Sequence, residues 1–215
     1  MSFITIGSIV SRLGNMKTAK ATRAAIQSAA RLVKNGGVIV YPTDTVYGVG
    51  CDPFNEDSVK RLFKIKGERT KPFPILAHGI EDVEKIAHIT DEALKLAKKF
   101  WPGPLTMVLQ KKPSLPNIVT AHLNSVAVRV PNHDIALELI RQSGGLLIGT
   151  SANKTGKKPP QTALEAARQI GEEVDLILDG GMAPIGASSA IVDLTGDRPK
   201  ILRKGPIKSD DLLST

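Results

Sequence analysis

Residues 38–50, VIVYPTDTVYGVG, begin as a buried strand and break abruptly into polar chemistry. Gly36-Gly37 stop the alanine-rich segment before them, and VIVY has the short apolar run of a core strand. Two threonines, a carboxylate and two glycines follow at once. A simple turn needs fewer polar groups, and a phosphate-binding loop usually needs more glycine.

Outward from this stretch, helix and strand patterns alternate. The alanine-rich residues 17–34 predict a helix, and Val59, Leu62 and Phe63 mark the apolar face of another from Asn55 to about Lys66. FPILA (73–77) predicts a strand, followed by helices near 80–87 and 91–100, the second ended by Trp101-Pro102. Strands are expected at 105–110 (LTMVLQ) and 125–130 (SVAVRV), a helix at 134–143, and a buried strand at LLIG (146–149). A helix at 162–170, a strand at 174–179 and two further strands, AIVDL and KILR, complete the pattern. The alternation indicates an α/β fold, and the strand-after-strand ending makes the sheet mixed, with parallel and antiparallel pairs. The length of 215 residues fits one domain. It is divided here into an N-terminal extension (1–15), a single domain (16–208) and a C-terminal tail (209–215).

Composition narrows the partners. A net charge of +8 favours an anionic partner, either nucleic acid or a phosphorylated small molecule. An aromatic share of 4% argues against the stacking platforms of single-strand RNA binders. A lone cysteine, Cys51, excludes an internal disulfide and any multi-cysteine metal site. His78, His88, His122 and His133 lack the helical spacing of metal ligands and read as surface or packing residues. No apolar run approaches membrane-span length, and the first residues lack a basic start and a convincing cleavage site. A soluble, cytoplasmic protein is expected.

Polar clusters fall at strand ends: Thr43-Asp44-Thr45, Lys64 to Lys71, Ser151-Ala152-Asn153 and Ser188-Ser189. Two arginines lie inside strand patterns. Period two in SVAVRV puts Val126, Val128 and Val130 on one face and Ser125, Ala127 and Arg129 on the other. In KILRKG the same rule sets Leu202 against Ile201 and Arg203. An arginine on a central strand is costly to bury unless an anion meets it, so the pair suggests a lined groove; an edge strand facing water is the alternative. Orthodox nucleotide motifs fail. Ser151 stands where a Walker loop needs its first glycine, Pro53 replaces the last glycine of a dinucleotide fingerprint, and Asn153 spoils a nucleophile elbow.

The segments GGVIVYPTDTVYGVGCDPFN, FKIKGERTKP, FWPGPLTMVL, VAVRVPNH, TSANKTG, SSAIVD and KILRKG occur in the order and approximate spacing of the YrdC-like family. The chain resembles that family from about residue 20 to 206, in the short form lacking an extra C-terminal domain. The resemblance implies a twisted, mixed sheet flanked by helices around a basic concave groove. It also implies L-threonylcarbamoyladenylate synthase activity: L-threonine, bicarbonate and ATP yield threonylcarbamoyl-AMP and pyrophosphate, for modification of adenosine in tRNA. An Mg2+ ion held mainly by phosphates is expected, with no dedicated protein metal site. A tRNA-modifying threonylcarbamoyl transferase is the implied downstream partner, weak tRNA or RNA binding is compatible with the charge, and no membrane is involved.

The same resemblance implies the site. Thr43, Arg129 and Ser189 would contact L-threonine, with Arg129 clamping its carboxylate through paired hydrogen bonds. A turn-forming threonine is the plainer account of Thr43. Asp44 would hold a cation or cap a turn. Lys66, Ser125, Ser151, Asn153 and Arg203 would bind the nucleotide. Lys66 and Arg69 would stabilise developing charge, although the family's Lys-x-Arg appears here as Lys66-Gly67-Glu68-Arg69, one position longer. Lys64 competes for that role. Two alternatives stay open: an RNA-binding module without catalysis, and a carbamoyl-transfer domain of related fold.

Overall fold

The computed structural model describes residues 10–13, 16–67 and 71–213. β1 (Val10–Leu13) pairs antiparallel with β2 (Met16–Lys20), so part of the expected N-terminal extension forms a sheet edge. Thr22 accepts a hydrogen bond from the Ala25 amide (3.2 Å) and caps α1 (Arg23–Lys34). The helix expected over 17–34 thus starts six residues later. Its first part is instead β2, whose Thr18 to Lys20 lie parallel to a distant strand at Ile177 to Asp179. Alanine's helix propensity of a few tenths of a kcal/mol is a weak prior beside a full row of ladder hydrogen bonds.

β3 (Ile39–Tyr41) and β4 (Gly48–Gly50) pair antiparallel, so the opening stretch is a hairpin whose connecting residues, Pro42 to Tyr47, are all buried. After it come α2 (Glu56–Lys66), β5 (Ile75–Ala77), α3 (Ile80–Glu84), α4 (Asp91–Phe100) and β6 (Leu105–Gln110). β7 (Ser125–Arg129), α5 (Asp134–Gln142), β8 (Leu146–Ile148) and β9 (Thr150–Ser151) follow. α6 (Ala163–Ile170), β10 (Leu176–Asp179), β11 (Ala190–Asp193), β12 (Lys200–Arg203) and α7 (Ser209–Leu213) complete the described elements. The expected tail therefore enters α7, where Leu212 is buried in the core.

Among the described residues the strands form two six-stranded sheets, ordered β1-β2-β10-β3-β4-β9 and β12-β11-β6-β7-β5-β8. Both are mixed: β10 runs parallel to β2 and β3, while β3–β4 and β4–β9 are antiparallel. In the second sheet β11–β6 and β5–β7 are parallel, whereas β6–β7, β5–β8 and β11–β12 are antiparallel. One apolar cluster joins α2, α4 and α6 to the strands, and another packs α1 and α5 over β3, β8 and β10.

The sheets meet where β8 hands the chain to β9. The Ile148 amide donates to the Cys51 carbonyl (3.0 Å), and the Tyr41 hydroxyl to the Ile148 carbonyl (2.7 Å). A Cβ on Gly50 would lie 1.6 Å from that carbonyl oxygen, so only glycine lets the two backbones approach this closely. This seam brings the β3–β4 loop and β9 opposite one face of the second sheet.

Candidate functional site

A cleft of about 470 Å³ opens between them. Its floor is the second sheet, with Thr106 and Val108 from β6, Ala127 and Arg129 from β7, Ile191 from β11, and Leu202 and Arg203 from β12. Thr43, Thr45 and Gly48 from the hairpin, Thr150 and Ser151 from β9, and Lys71 and Ser189 complete the walls. The alternation read in SVAVRV holds, because Val126, Val128 and Val130 enter the core while Ala127 and Arg129 face the cleft. Alternation fails in β12. The register shifts so that Ile191 faces Arg203 and Val192 faces Ile201, leaving Leu202 as the extra residue of a bulge. Ile201 accordingly packs on the core side, whereas Leu202 and Arg203 both reach the cleft.

The hairpin loop is buried and must satisfy its own backbone. Thr43 does much of this, as its Oγ1 donates to the Val46 carbonyl (2.6 Å) and accepts from the amides of Thr45 (3.2 Å) and Val46 (3.3 Å). The Thr43 and Thr45 hydroxyls lie 3.0 Å apart. Since Thr43 spends its proton on Val46, Thr45 is the donor between the two. Thr45 Oγ1 in turn accepts from Arg129 Nη1 (2.8 Å). One directed chain therefore runs from Arg129 through Thr45 and Thr43 to the Val46 carbonyl. The plainer account of Thr43 is present in full, and its hydroxyl proton is already used when it faces the cleft.

Arg129 is 5% exposed. Its Nε donates to the Gly103 carbonyl (2.9 Å), and its Nη2 is paired with Asp44 Oδ1. Burial pulls the guanidinium below its ordinary value, and the Asp44 carboxylate opposes that pull. Of the five N–H donors of a guanidinium, the contacts to Gly103, Thr45 and Asp44 leave one on each Nη. Asp44 thus neither holds a cation from solution nor merely caps a turn; it is the counter-ion of Arg129. His133, at the N-terminal end of α5, is held below its ordinary value by burial, with Asp44 and Asp134 opposing.

Arg203 stands differently. Its Nε donates to the Ser189 carbonyl (2.9 Å) and its Nη2 to Ser189 Oγ (3.1 Å), which lies 2.7 Å from Thr106 Oγ1. No carboxylate pairs with it among the described residues, and partial burial alone draws it below its ordinary value.

Thr43, Arg129, Ser151, Ser189 and Arg203 are therefore brought together, whereas Ser125, Lys66 and Asn153 are not on the cleft wall. Ser125 shares a strand face with Ala127 but lies outside the lining, opposite Gln110. Lys66 is 2% exposed, and its Nζ donates to the carbonyls of Ser151 (2.6 Å) and Asn153. In return, the Thr155 amide (3.1 Å) and hydroxyl (2.8 Å) donate to the Lys66 carbonyl, and Lys154 Nζ donates to that of Ile65 (2.9 Å). The end of α2 and the TSANKT loop thus cap each other. Asn153 Nδ2 bonds the carbonyls of Lys154 (2.8 Å) and Lys157 (2.7 Å), leaving a buried Oδ1 without a partner. Arg69 lies outside the described residues. Thr45, Lys71, Thr106 and Leu202 are lining residues that sequence patterns did not single out as contacts. Period two in β6 was the available signal for Thr106.

Among the described residues no three His, Cys, Asp or Glu side chains cluster as metal ligands, and no carboxylate lines the cleft. A divalent cation here would enter with phosphate oxygens rather than occupy a cage of protein ligands. No described helix is long and apolar enough to cross a membrane.

Fold and cleft together define an α/β protein that turns two arginines and a row of hydroxyls into one cleft. Comparison with known proteins makes the assignment specific: the chain belongs to the Sua5/YciO/YrdC family, described as "Telomere recombination", whose profile matches residues 31–205. It is 40% identical over 190 residues to a threonylcarbamoyl-AMP synthase of Pyrococcus abyssi, covering 87% of this chain and 56% of the relative. A putative threonylcarbamoyl-AMP synthase of Mycobacterium tuberculosis H37Rv is 39% identical over 188 residues, 86% of each chain. The structure of P. abyssi Sua5 complexed with L-threonine superposes with a TM-score of 0.87 at 38% identity, covering 91% of this chain and 58% of that one. The chain thus spans little more than half the length of the Pyrococcus relative.

Proposed function

We propose that this chain makes threonylcarbamoyl-AMP and pyrophosphate from L-threonine, bicarbonate and ATP, for modification of adenosine in tRNA. The observation that carries this reading is one cleft holding both a charge-compensated arginine with a donor left on each Nη and an arginine that meets no carboxylate among the described residues. The L-threonine complex of a 38% identical structure supports the amino-acid assignment.

Threonine's carboxylate meets the remaining N–H pair of Arg129, a bidentate geometry suited to guanidinium. Ser189 and Thr106 offer hydroxyls to the amine and side chain, and Thr43 presents a side chain whose polar group is already satisfied. The neutral amine forms an N–C bond to carbon dioxide and releases a proton, or to bicarbonate, whose hydroxyl takes that proton and leaves as water. A carbamate oxygen then bonds to the α-phosphorus of ATP as the bond to pyrophosphate breaks. Arg203, Ser151 and Arg69 bind the triphosphate, joined by Ser125, Asn153 and Lys66 if nucleotide draws their segments inward. Catalysis is positioning and charge stabilisation, without a covalent enzyme intermediate. Mg2+ supplies charge neutralisation on the phosphates when bound.

The test is pyrophosphate release from ATP and bicarbonate, comparing L-threonine, L-serine and no amino acid. Release that depends on threonine is expected, with serine used less well by about 10- to 200-fold, the discrimination one methyl supports. Release independent of any amino acid overturns the reading. Salt-sensitive tRNA binding with no pyrophosphate release favours the RNA-binding alternative.

A further inference from the structure

We propose that Asp44 is a positioning residue for ligand capture: it holds Arg129 so that the donors remaining on its two Nη atoms serve the cleft. The proposal rests on the threonine reading above and deepens it.

Three features carry it. Asp44 is buried at 4% exposure and is absent from the cleft wall, so a bound ligand meets Arg129 and not Asp44. The guanidinium is gripped on three sides, by the Gly103 carbonyl on Nε, Thr45 on Nη1 and Asp44 on Nη2, which fixes both its plane and its rotation. Asp44 Oδ2 is buried without a hydrogen-bond partner. Leaving half of a buried carboxylate unsatisfied is unfavourable, and a neutral hydrogen-bonding side chain would avoid that cost. The charge itself is therefore what the position uses: it keeps a desolvated arginine tolerable without occupying all of its donors. The Asp44 carbonyl also accepts from the Ile185 amide (2.9 Å), so the residue is anchored from behind by the 180–186 loop. His133, whose buried Nδ1 likewise lacks a partner, is a titratable group near enough to feel this carboxylate, which opposes the fall in its pKa.

The test uses the full chain. L-threonine and L-threonine methyl ester are titrated into wild type, Asp44→Asn, Arg129→Gln and the double variant. Asp44→Asn is expected to weaken L-threonine binding by roughly 100-fold, the scale of a misplaced binding group, with little change for the ester. In the Arg129→Gln background the same change should add nothing further, because the residue acts only through Arg129. Equal losses for acid and ester, or additive losses in the double variant, overturn the proposal. A second measurement needs no variant. Side-chain N–H exchange of Arg129 in the ligand-free protein should be strongly slowed relative to exposed Arg23. Exchange as fast as that of Arg23 overturns positioning by Asp44. A wild type that shows slowed Arg129 exchange yet binds no L-threonine overturns the substrate assignment alone.

Discussion

Arg129 and Arg203 line one cleft, yet the protein surrounds them differently. At one end, a fully buried hairpin loop supplies Asp44 as counter-ion and Thr45 as acceptor. At the other, Arg203 sits on an irregular edge strand and, among the described residues, bonds the backbone and hydroxyl of Ser189, just ahead of β11, with no carboxylate beside it. The first end is buried, internally hydrogen-bonded and electrically compensated. The second carries a cation that a bound anion would complete. A carboxylate needs fixed geometry and little extra charge, whereas a triphosphate needs charge and tolerates motion. The contrast supports the proposed placement, with the amino acid at the Arg129 end and the nucleotide at the Arg203 end.

The largest effect should come from Arg129→Ala. It strands a buried Asp44, so unfolding in urea should show a loss of about 3–5 kcal/mol, together with the loss of threonine-dependent pyrophosphate release. Arg203→Ala should separate function from stability. Pyrophosphate release at limiting ATP falls about 10- to 100-fold, the worth of charge-assisted hydrogen bonds, while the stability read from urea unfolding changes by less than about 0.5 kcal/mol. Similar stability losses in both variants would erase the distinction between the ends.

Thr43→Val probes the directed hydrogen-bond chain at the compensated end. It removes the hydroxyl that serves two amides and a carbonyl, with an expected stability loss of about 1–3 kcal/mol by denaturant titration. A smaller effect is expected from pH. Burial lowers the His133 pKa in the folded protein, so its contribution is complete above the ordinary histidine value near 6.5 and fades as pH falls toward the folded value. Wild type should therefore lose stability relative to His133→Asn when denaturant midpoints are compared between about pH 7 and 5. The smallest effect is a null at the seam. Cys51 is fully buried and its thiol is pushed up to about 12, so a maleimide at neutral pH should label unfolded but not native protein.

Legibility followed regularity. β7 is an uninterrupted strand, so period two alone assigned Arg129 to the side away from the core. β12 contains a bulge with no glycine or proline inside it to announce it, and the partner of Arg203 on that face was accordingly misassigned from Leu202 to Ile201. The family resemblance made Lys66 a phosphate-facing cation, as the lysine of Lys66-Gly67-Glu68-Arg69. Its ammonium instead meets carbonyls 85 and 87 residues away, a contact that no local pattern encodes. β2 was hidden because it opens an alanine-rich run that favours a helix in isolation, whereas its own Thr18 to Lys20 find a parallel partner in β10.

Residue order and type were enough to place the class of fold, the core face of each regular strand, and the polar clusters at strand ends, because these follow from backbone periodicity and short-range sterics. Which donors remain for a ligand depends instead on which are consumed internally. Asp44 and Arg129 are 85 residues apart along the chain and become a pair only when the hairpin of one sheet closes over the face of the other.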